Sequence, residues 1–364
     1  MIAEPPRRKL LFYTHALEAG GAERVIALLA SGFAERGDEV IIAVDHEVDT
    51  GAPLSPRVRV VHIGPSHADS IGNLKALLKD EAPDISFSAL AASNLKHALA
   101  AFAAGRNARA VISYHGYFDA EPQLLSRAGY VLISLLSRIV ARTVCVSDGL
   151  LAHIRRLGAS HRTSLRIFNP VALMAADEAD SGAPLADRPP LILAVGRLAP
   201  VKDFASLIAA FARIRRGDAR LRIVGEGAER PKLEAEIARL GLGGRVELAG
   251  HSRDVAQHYR QARCFALTSR TESFGNVVVE ALSHGLPVIA TDCGGPAEII
   301  NGPACGRIAP VGDIDAIASA IDAALDDPGD PDPRRRRARD FSIEKAVDAY
   351  SALFEQIVTE AAKR

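Results

Sequence analysis

Two glutamates eight residues apart, Glu272 and Glu280, lie in the stretch TSRTESFGNVVVEALSHGLPVIATDCGGPAEII at 268–300. Their type and spacing suit the binding of hydroxyl-rich molecules. A strand is expected over 264–267 and a helix over 275–283, which puts Glu272 in the intervening loop and Glu280 down the helix. Around Ser273, Phe274, Gly275, Asn276 and Val277 the helix begins, and the backbone N–H groups of a helix's first turn suit a phosphate. Glu272 then sits ahead of the anion site and Glu280 behind it. One carboxylate can accept hydrogen bonds from a sugar and the other from a ribose, with a diphosphate between. The same residues also fit a buried helix that merely starts near an acid.

A second cluster, Gly196, Arg197 and Lys202, stands in VGRLAPVKDF. Strand, tight turn, two cations and a helix from near Asp203 place fixed positive charge at a strand's carboxyl end. A departing nucleoside diphosphate needs such charge, because its oxygens become more negative as the bond to the sugar breaks. Hydrogen bonds to charged groups contribute roughly 1.5–3 kcal/mol each, so two cations plus helix-end amides can stand in for a metal. The alternative is an ordinary surface loop. Gly20 and Gly21, in EAGGAER after the first strand, let the backbone approach a phosphate or sugar, although such turns often need glycine anyway. His115, in ISYHGYF, follows the strand expected at 109–113, and that position favours a functional role.

Three spacings imitate other chemistries. Asp313 and Asp315 have the DxD spacing of metal-dependent sugar transferases, but they open a helical pattern and read as helix caps. Gly225 and Gly227 start like a dinucleotide fingerprint, yet Arg230 stands where the third glycine belongs. Gly20 and Gly21 with Asp45 further on come nearer to a nicotinamide site and also lack the full spacing.

The elements that must position these groups follow from the rest of the chain. Its 364 residues suggest two domains, and 48% hydrophobic with 24% charged residues excludes disordered, collagen-like and coiled-coil classes. Lys plus Arg balances Asp plus Glu at 44 each, so no global field favours nucleic acid as a partner. Cys145, Cys264, Cys293 and Cys305 form no CxxC pair, which argues against zinc or a disulfide framework and suits a reducing cytosol. No signal peptide is expected from MIAEPPRRKLLFY, and the apolar tract at 128–146 is interrupted by Arg138 and Arg142. A soluble protein able to touch a membrane is expected.

Strands are expected at 9–13, 39–44, 58–63, 84–87, 109–113 and 143–147, then at 191–195, 221–224, 245–248, 264–267 and 288–291. Amphipathic stretches such as 22–36 and 93–104 lie between them. This alternation predicts α/β architecture, with two doubly wound, Rossmann-like parallel-sheet domains facing a cleft. The Pro-rich, acidic break at 169–190 divides an N-terminal domain, 1–170, from a C-terminal one, 190–341, with 171–189 as linker or loop. The last helix, from Ser342, carries an apolar stripe of Ile343, Val347, Tyr350, Leu353, Phe354 and Ile357 and is expected to pack back on the first domain. The charge run DPDPRRRRAR at 330–339 reads as a solvated turn and helix start. Residues 123–141, with Arg127, Arg138 and Arg142 nearby, fit either a basic amphipathic helix on anionic lipid or a core helix.

Together these motifs resemble the retaining family 4 glycosyltransferases of GT-B fold, over nearly the whole chain. The resemblance runs through the GGAER turn, the HG at His115, VSDGLLAHI at 146–154, Asn169–Pro170, GRLAPVK, VGEGAER, the E-x7-E element and GGPAEII. It implies that Arg197 and Lys202 bind the donor diphosphate with the 273–277 amides and Gly196, that Glu280 holds the ribose hydroxyls and that Glu272 contacts the transferred sugar. It places His115 beside the reacting carbon and Gly20 and Gly21 over the donor. No metal or other cofactor is implied, the nucleotide sugar being substrate. Ser273 makes the usual EGFG into ESFG, similar to transferases of lipid-linked glycans. That variant points to a UDP-sugar donor, a saccharide or polyprenyl-diphosphate-saccharide acceptor, and a cytoplasmic protein with peripheral contact at the inner membrane face. No second N-domain acid has a comparable motif, which favours same-face substitution with the acceptor proton passing to a phosphate oxygen. A nicotinamide-dependent oxidoreductase is the main rival and leaves Glu272, Glu280, Arg197 and Lys202 without a role. A GT-B epimerase or hydrolase and a non-catalytic sugar-nucleotide binder are the others.

Overall fold

Short apolar runs separated by amphipathic helices form parallel sheets because each strand needs a crossover to return in the same direction. The computed structural model describes residues 8–17, 20–46, 54–64, 66–120, 123–173 and 184–363. The N-terminal stretch 1–7, Glu18 and Ala19 of the glycine turn, and 174–183 of the expected linker lie outside the described residues. The chain divides into two compact units, Met1–Val171 with Ser342–Arg364, and Ala172–Phe341.

In the first unit β1 (Lys9–Thr14), β2 (Glu39–Val44), β3 (Arg59–His62), β4 (Ile85–Ala89), β5 (Ala110–Tyr114), β6 (Arg142–Cys145) and β7 (Ser164–Arg166) form one sheet. Its order is β3-β2-β1-β4-β5-β6-β7 and every pairing is parallel. In the second unit β8 (Leu191–Val195), β9 (Arg220–Val224), β10 (Val246–Gly250), β11 (Cys264–Leu267), β12 (Val288–Thr291) and β13 (Gly306–Ala309) form another, in the order β10-β9-β8-β11-β12-β13. These pairings too are all parallel. Four expected strands coincide with β2, β8, β11 and β12, and the others shift by one or two residues. Only β7 and β13 escape the apolar pattern. Both are edge strands, half solvated and carrying an arginine, so neither reads as a buried run.

The Gly21–Glu35 helix buries Val25, Ile26, Leu29 and Phe33 in the first core. The Ile343–Ala362 helix, N-capped by Ser342, brings Val347, Tyr350, Leu353, Phe354 and Ile357 to the same core. Phe354 stacks on Phe33 at 5.4 Å, and Tyr350 meets Phe87 edge-on at 5.4 Å. Residues 123–141 fold as two helices, Leu124–Val131 and Ile133–Ile139. Tyr130, Ile133 and Leu136 are core, whereas Leu124, Val131 and Leu135 are 86%, 70% and 57% exposed.

The charge run at 330–339 departs from expectation. It forms the Asp332–Arg339 helix, and Arg334 is buried, donating to the carbonyls of Ala304 (2.9 Å), Gly285 (2.8 Å) and Pro328. Arg337 reaches the carbonyls of Glu298 and Ile299 at 2.7 and 2.9 Å. Backbone carbonyls without a ladder partner need donors, and these arginines supply them. The Asp313 carboxylate accepts from the Ala316 N–H and caps the Ile314–Asp326 helix, while Asp315 pairs with Arg213.

His97 is buried between two serines, its ring nitrogens 2.8 Å from Ser86 Oγ and 2.9 Å from Ser88 Oγ. Burial pushes its pKa down to about 3, so the native ring stays neutral. An unfolded histidine titrates near 6.5, so below that pH the unfolded state binds a proton that the native state refuses. Stability is therefore expected to fall as pH drops from about 6.5 towards 3. Urea midpoints measured across that range should show this slope, and His97→Asn should flatten it; an unchanged slope would remove His97 as its source.

Candidate active site

The loop that follows β8 carries Gly196, Arg197 and Lys202. Its backbone rests on the turn after β9: Gly196 N–H donates to the Val224 carbonyl (2.9 Å), Leu198 N–H to Glu226 (2.8 Å) and Glu229 N–H to Leu198 (3.0 Å). A Cβ on residue 225 would come within 2.0 Å of the Gly196 carbonyl oxygen, and one on residue 227 within 2.3 Å of that of Leu198. The glycines of VGEGAER thus serve backbone approach to the neighbouring loop. The turn after β11 is tied to the same loop, with Arg270 N–H donating to the Val201 carbonyl (2.8 Å). Thr268 Oγ1 donates to the carbonyls of Lys202 (3.2 Å) and Asp203 (3.1 Å), and Arg270 Nε pairs with the Asp203 carboxylate at 3.1 Å.

This stitching brings Lys202 and Glu272 together across seventy residues of sequence. Lys202 Nζ donates to Glu272 Oε2 at 2.6 Å, and Ser269 Oγ donates to the same oxygen at 3.3 Å. The two side chains are 22% and 18% exposed, so the pair is neither solvated nor sealed. The alkyl chain of Lys202 passes Gly196. Arg197 is exposed on the same loop and makes no ion pair among the described residues.

The backbone of Glu272 is held on both sides, its N–H donating to Cys293 and its carbonyl accepting from Gly295 N–H, both at 2.8 Å. A Cβ at Gly295 would lie 2.3 Å from Phe274 Cα, so the GGP segment crosses the 272–274 backbone only because a glycine is there. Phe274 is buried against Phe341 at 5.5 Å. Gly275, left-handed at φ 99°, then caps the Asn276–Ser283 helix, whose first turn holds Asn276 and Val277 next to Ser273. The positive end of a helix dipole therefore lies just after Glu272.

Glu280 sits further down that helix and is half-buried. Its Oε2 accepts from the Tyr259 hydroxyl at 3.0 Å. The Tyr259 ring is buried and stacks on His284 at 4.9 Å. Tyr259 orients one of the two glutamates, yet nothing in its sequence neighbourhood marks it.

His115 and the glycine pair belong to the first unit. His115 follows β5 with Nε2 3.0 Å from Ser113 Oγ, and burial pushes its pKa down to about 4, so the ring is neutral at pH 7. Gly20 is the N-cap of the Gly21–Glu35 helix with ordinary extended dihedrals, φ −75° and ψ 156°. Its conformation does not demand glycine, but a Cβ there would meet the Glu23 carboxylate at 2.2 Å, a contact that a flexible side chain can yield. Asp45 is buried in an ion pair with Lys96, which takes it out of reach of a nicotinamide ribose.

The four cysteines are free and buried, and burial raises the Cys293 thiol to about 11. Among the described residues no group of three or more His, Cys, Asp or Glu is placed to hold a metal ion, and no helix is long and apolar enough to cross a membrane.

Residues 19–173 match the family model described as Glycosyltransferase Family 4, and residues 176–342 the one described as Glycosyl transferases group 1. The structure superposes on that of Anabaena HepE in complex with UDP with a TM-score of 0.78 at 20% identity, covering 96% of this chain and 100% of that one. The two parallel sheets and this likeness define the GT-B fold. With the two family matches, the chain is a glycosyltransferase of that fold. It is 28% identical over 357 residues to the lipopolysaccharide core biosynthesis glycosyltransferase LpsE of Rhizobium meliloti, covering 93% of this chain and 97% of the relative. It is 36% identical over 140 residues to a GDP-mannose-dependent alpha-mannosyltransferase of Mycobacterium tuberculosis, covering 37% and 35%.

Proposed function

We propose that the chain is a retaining, metal-independent hexosyltransferase. It moves a hexose or N-acetylhexosamine from a nucleoside-diphosphate sugar, UDP-linked in the first instance, to a saccharide acceptor in the assembly of a cell-surface polysaccharide. The observation that carries this reading is the Lys202–Glu272 pair at a helix N-terminus, 2.6 Å apart, with Arg197 exposed on the Lys202 loop and making no ion pair among the described residues. A diphosphate laid there meets two cations and a helix dipole, which offset the charge that grows on the leaving group. Glu272, relieved of Lys202 by the diphosphate, accepts sugar hydroxyls. Glu280, oriented by Tyr259, accepts the ribose hydroxyls.

In this reading the second unit binds the donor, and the first, which carries His115 and the Gly20–Gly21 turn, binds the acceptor. The acceptor hydroxyl attacks on the face that the diphosphate leaves and passes its proton to a phosphate oxygen. The UDP complex of HepE and the lipopolysaccharide assignment of LpsE support the donor and acceptor classes. The mannosyltransferase likeness favours GDP-mannose as the second donor to try. Exposed Leu124, Val131 and Leu135 beside Arg127 offer a peripheral surface for a polyprenyl-diphosphate-linked acceptor.

The test incubates purified protein with UDP- and GDP-hexoses, with and without saccharide and polyprenyl-diphosphate-saccharide acceptors, and reads product configuration by NMR. Transfer with the donor's anomeric configuration kept, and undiminished by a chelator, is expected. An inverted product overturns the retaining assignment, and absence of nucleotide binding overturns the whole reading.

A further inference from the structure

Lys202 is followed by a residue in an unusual backbone state. Asp203 is left-handed, at φ 47° and ψ 45°, a conformation that residues with an L side chain rarely adopt. It stands where the Phe204–Phe211 helix begins, yet its carboxylate caps no helical N–H. The carboxylate turns to Arg270 instead, accepting from Nε at 3.1 Å, and it is only 7% exposed. Such a state persists where surrounding bonds over-determine it, and it concentrates at functional sites.

Beyond its own turn, the backbone here is fixed by the turn after β11. Thr268 Oγ1 donates to the carbonyls of both Lys202 and Asp203, at 3.2 and 3.1 Å, and Arg270 N–H to that of Val201 at 2.8 Å. Three consecutive residues around Lys202 are thus held by two residues of one neighbouring turn. The same turn carries Ser269, whose hydroxyl donates to Glu272 Oε2 at 3.3 Å, and Thr291 Oγ1 anchors it by donating to the Ser269 carbonyl at 2.6 Å. The left-handed residue lets Lys202 face Glu272 while Phe204 turns into the core. Folding gains little from the side-chain pair: Arg270 is 66% exposed, and an ion pair so open to water adds little stability. Catalysis gains more. A lysine free to swing on its four-carbon stem would spend much of its time away from a leaving group, and a misplacement of about 1 Å can cost about 10²-fold in rate.

We propose that Thr268 and the Arg270–Asp203 pair are positioning residues that aim the Lys202 ammonium at the donor's diphosphate; this rests on the glycosyl-transfer reading above. Two variants test it: Arg270→Ala removes the guanidinium, and Thr268→Val removes the hydroxyl at nearly unchanged shape. Thr268 is 2% exposed, too buried to touch substrate, so its variant reports on positioning alone. With the donor and acceptor of highest rate in the panel, each is expected to lower kcat about 10–100-fold while acceptor KM stays within about twofold of native. The deciding measurement repeats both substitutions in Lys202→Ala. Residues that act through Lys202 have nothing left to aim there, so each further loss in kcat should be below about twofold. Losses that multiply in full in that background overturn the proposal, whether they come from direct contact of Arg270 with substrate or from general loosening of the site. Near-native kcat in both single variants, with only the melting temperature lowered, makes the residues structural and overturns it equally. Calorimetry with UDP and GDP separates the two readings. Native protein that binds neither overturns the transfer reading and this proposal with it, whereas multiplying losses in an active, nucleotide-binding protein overturn the proposal alone.

Discussion

Lys202→Ala is expected to lower kcat by about 10²–10³-fold, the effect of deleting one preorganised stabiliser of transition-state charge. Its melting temperature should stay close to that of the native protein. The argument rests on where the ammonium sits. It is 2.6 Å from Glu272 and only partly shielded, so its folding contribution is that of a modest ion pair, whereas its contribution to a leaving diphosphate is that of a fixed cation in a partly dry site. Arg197 on the same loop leaves the variant some nucleotide affinity. The loss should therefore appear mainly in kcat. Near-native kcat in Lys202→Ala would remove this lysine from the chemistry, and a large fall in melting temperature would make it a structural residue.

Lys96→Met should have the larger effect on stability. Removing one partner of a buried ion pair leaves the other uncompensated, at a cost of about 3–5 kcal/mol. Lys96 and Asp45 are both almost fully buried. At roughly 2–4 °C per kcal/mol for a unit of this size, the melting temperature should fall by about 6–20 °C. Adding Asp45→Asn should recover much of it, because the orphan charge is then gone. Acidification should bring native protein and Lys96→Met closer together in stability. In the native chain the Asp45 carboxyl is depressed, so its stabilisation is fully present above about pH 4 and is lost as pH falls through its lower native-state value. In Lys96→Met the unpaired carboxyl gains by taking a proton, so the deficit relative to native protein should narrow as pH falls. Calorimetric melts at several pH values measure this, and a constant difference would show that Asp45 does not carry the coupling.

The sequence by itself determined the α/β class, the parallel character of the sheets and most strands, because hydrophobic periodicity is a local property. It also picked out Lys202, Glu272 and the helix start at Gly275, since strand, glycine turn and helix in that order place their loop at a sheet's carboxyl end whatever surrounds it. Ser342 and the stripe from Ile343 to Ile357 likewise announced a capped helix with one buried face. Tertiary structure decided what depends on partners far away in the chain. Only folding shows that Gly225 and Gly227 make room for the loop at Gly196–Leu198, and that Tyr259 aims Glu280. The same holds for Arg334, which turns inward to satisfy carbonyls, and for Asp45, which is joined to Lys96 rather than to a ribose. A charged residue's fate is set by which unpaired polar group the packed chain brings within hydrogen-bond reach, and one-dimensional spacing carries no record of that.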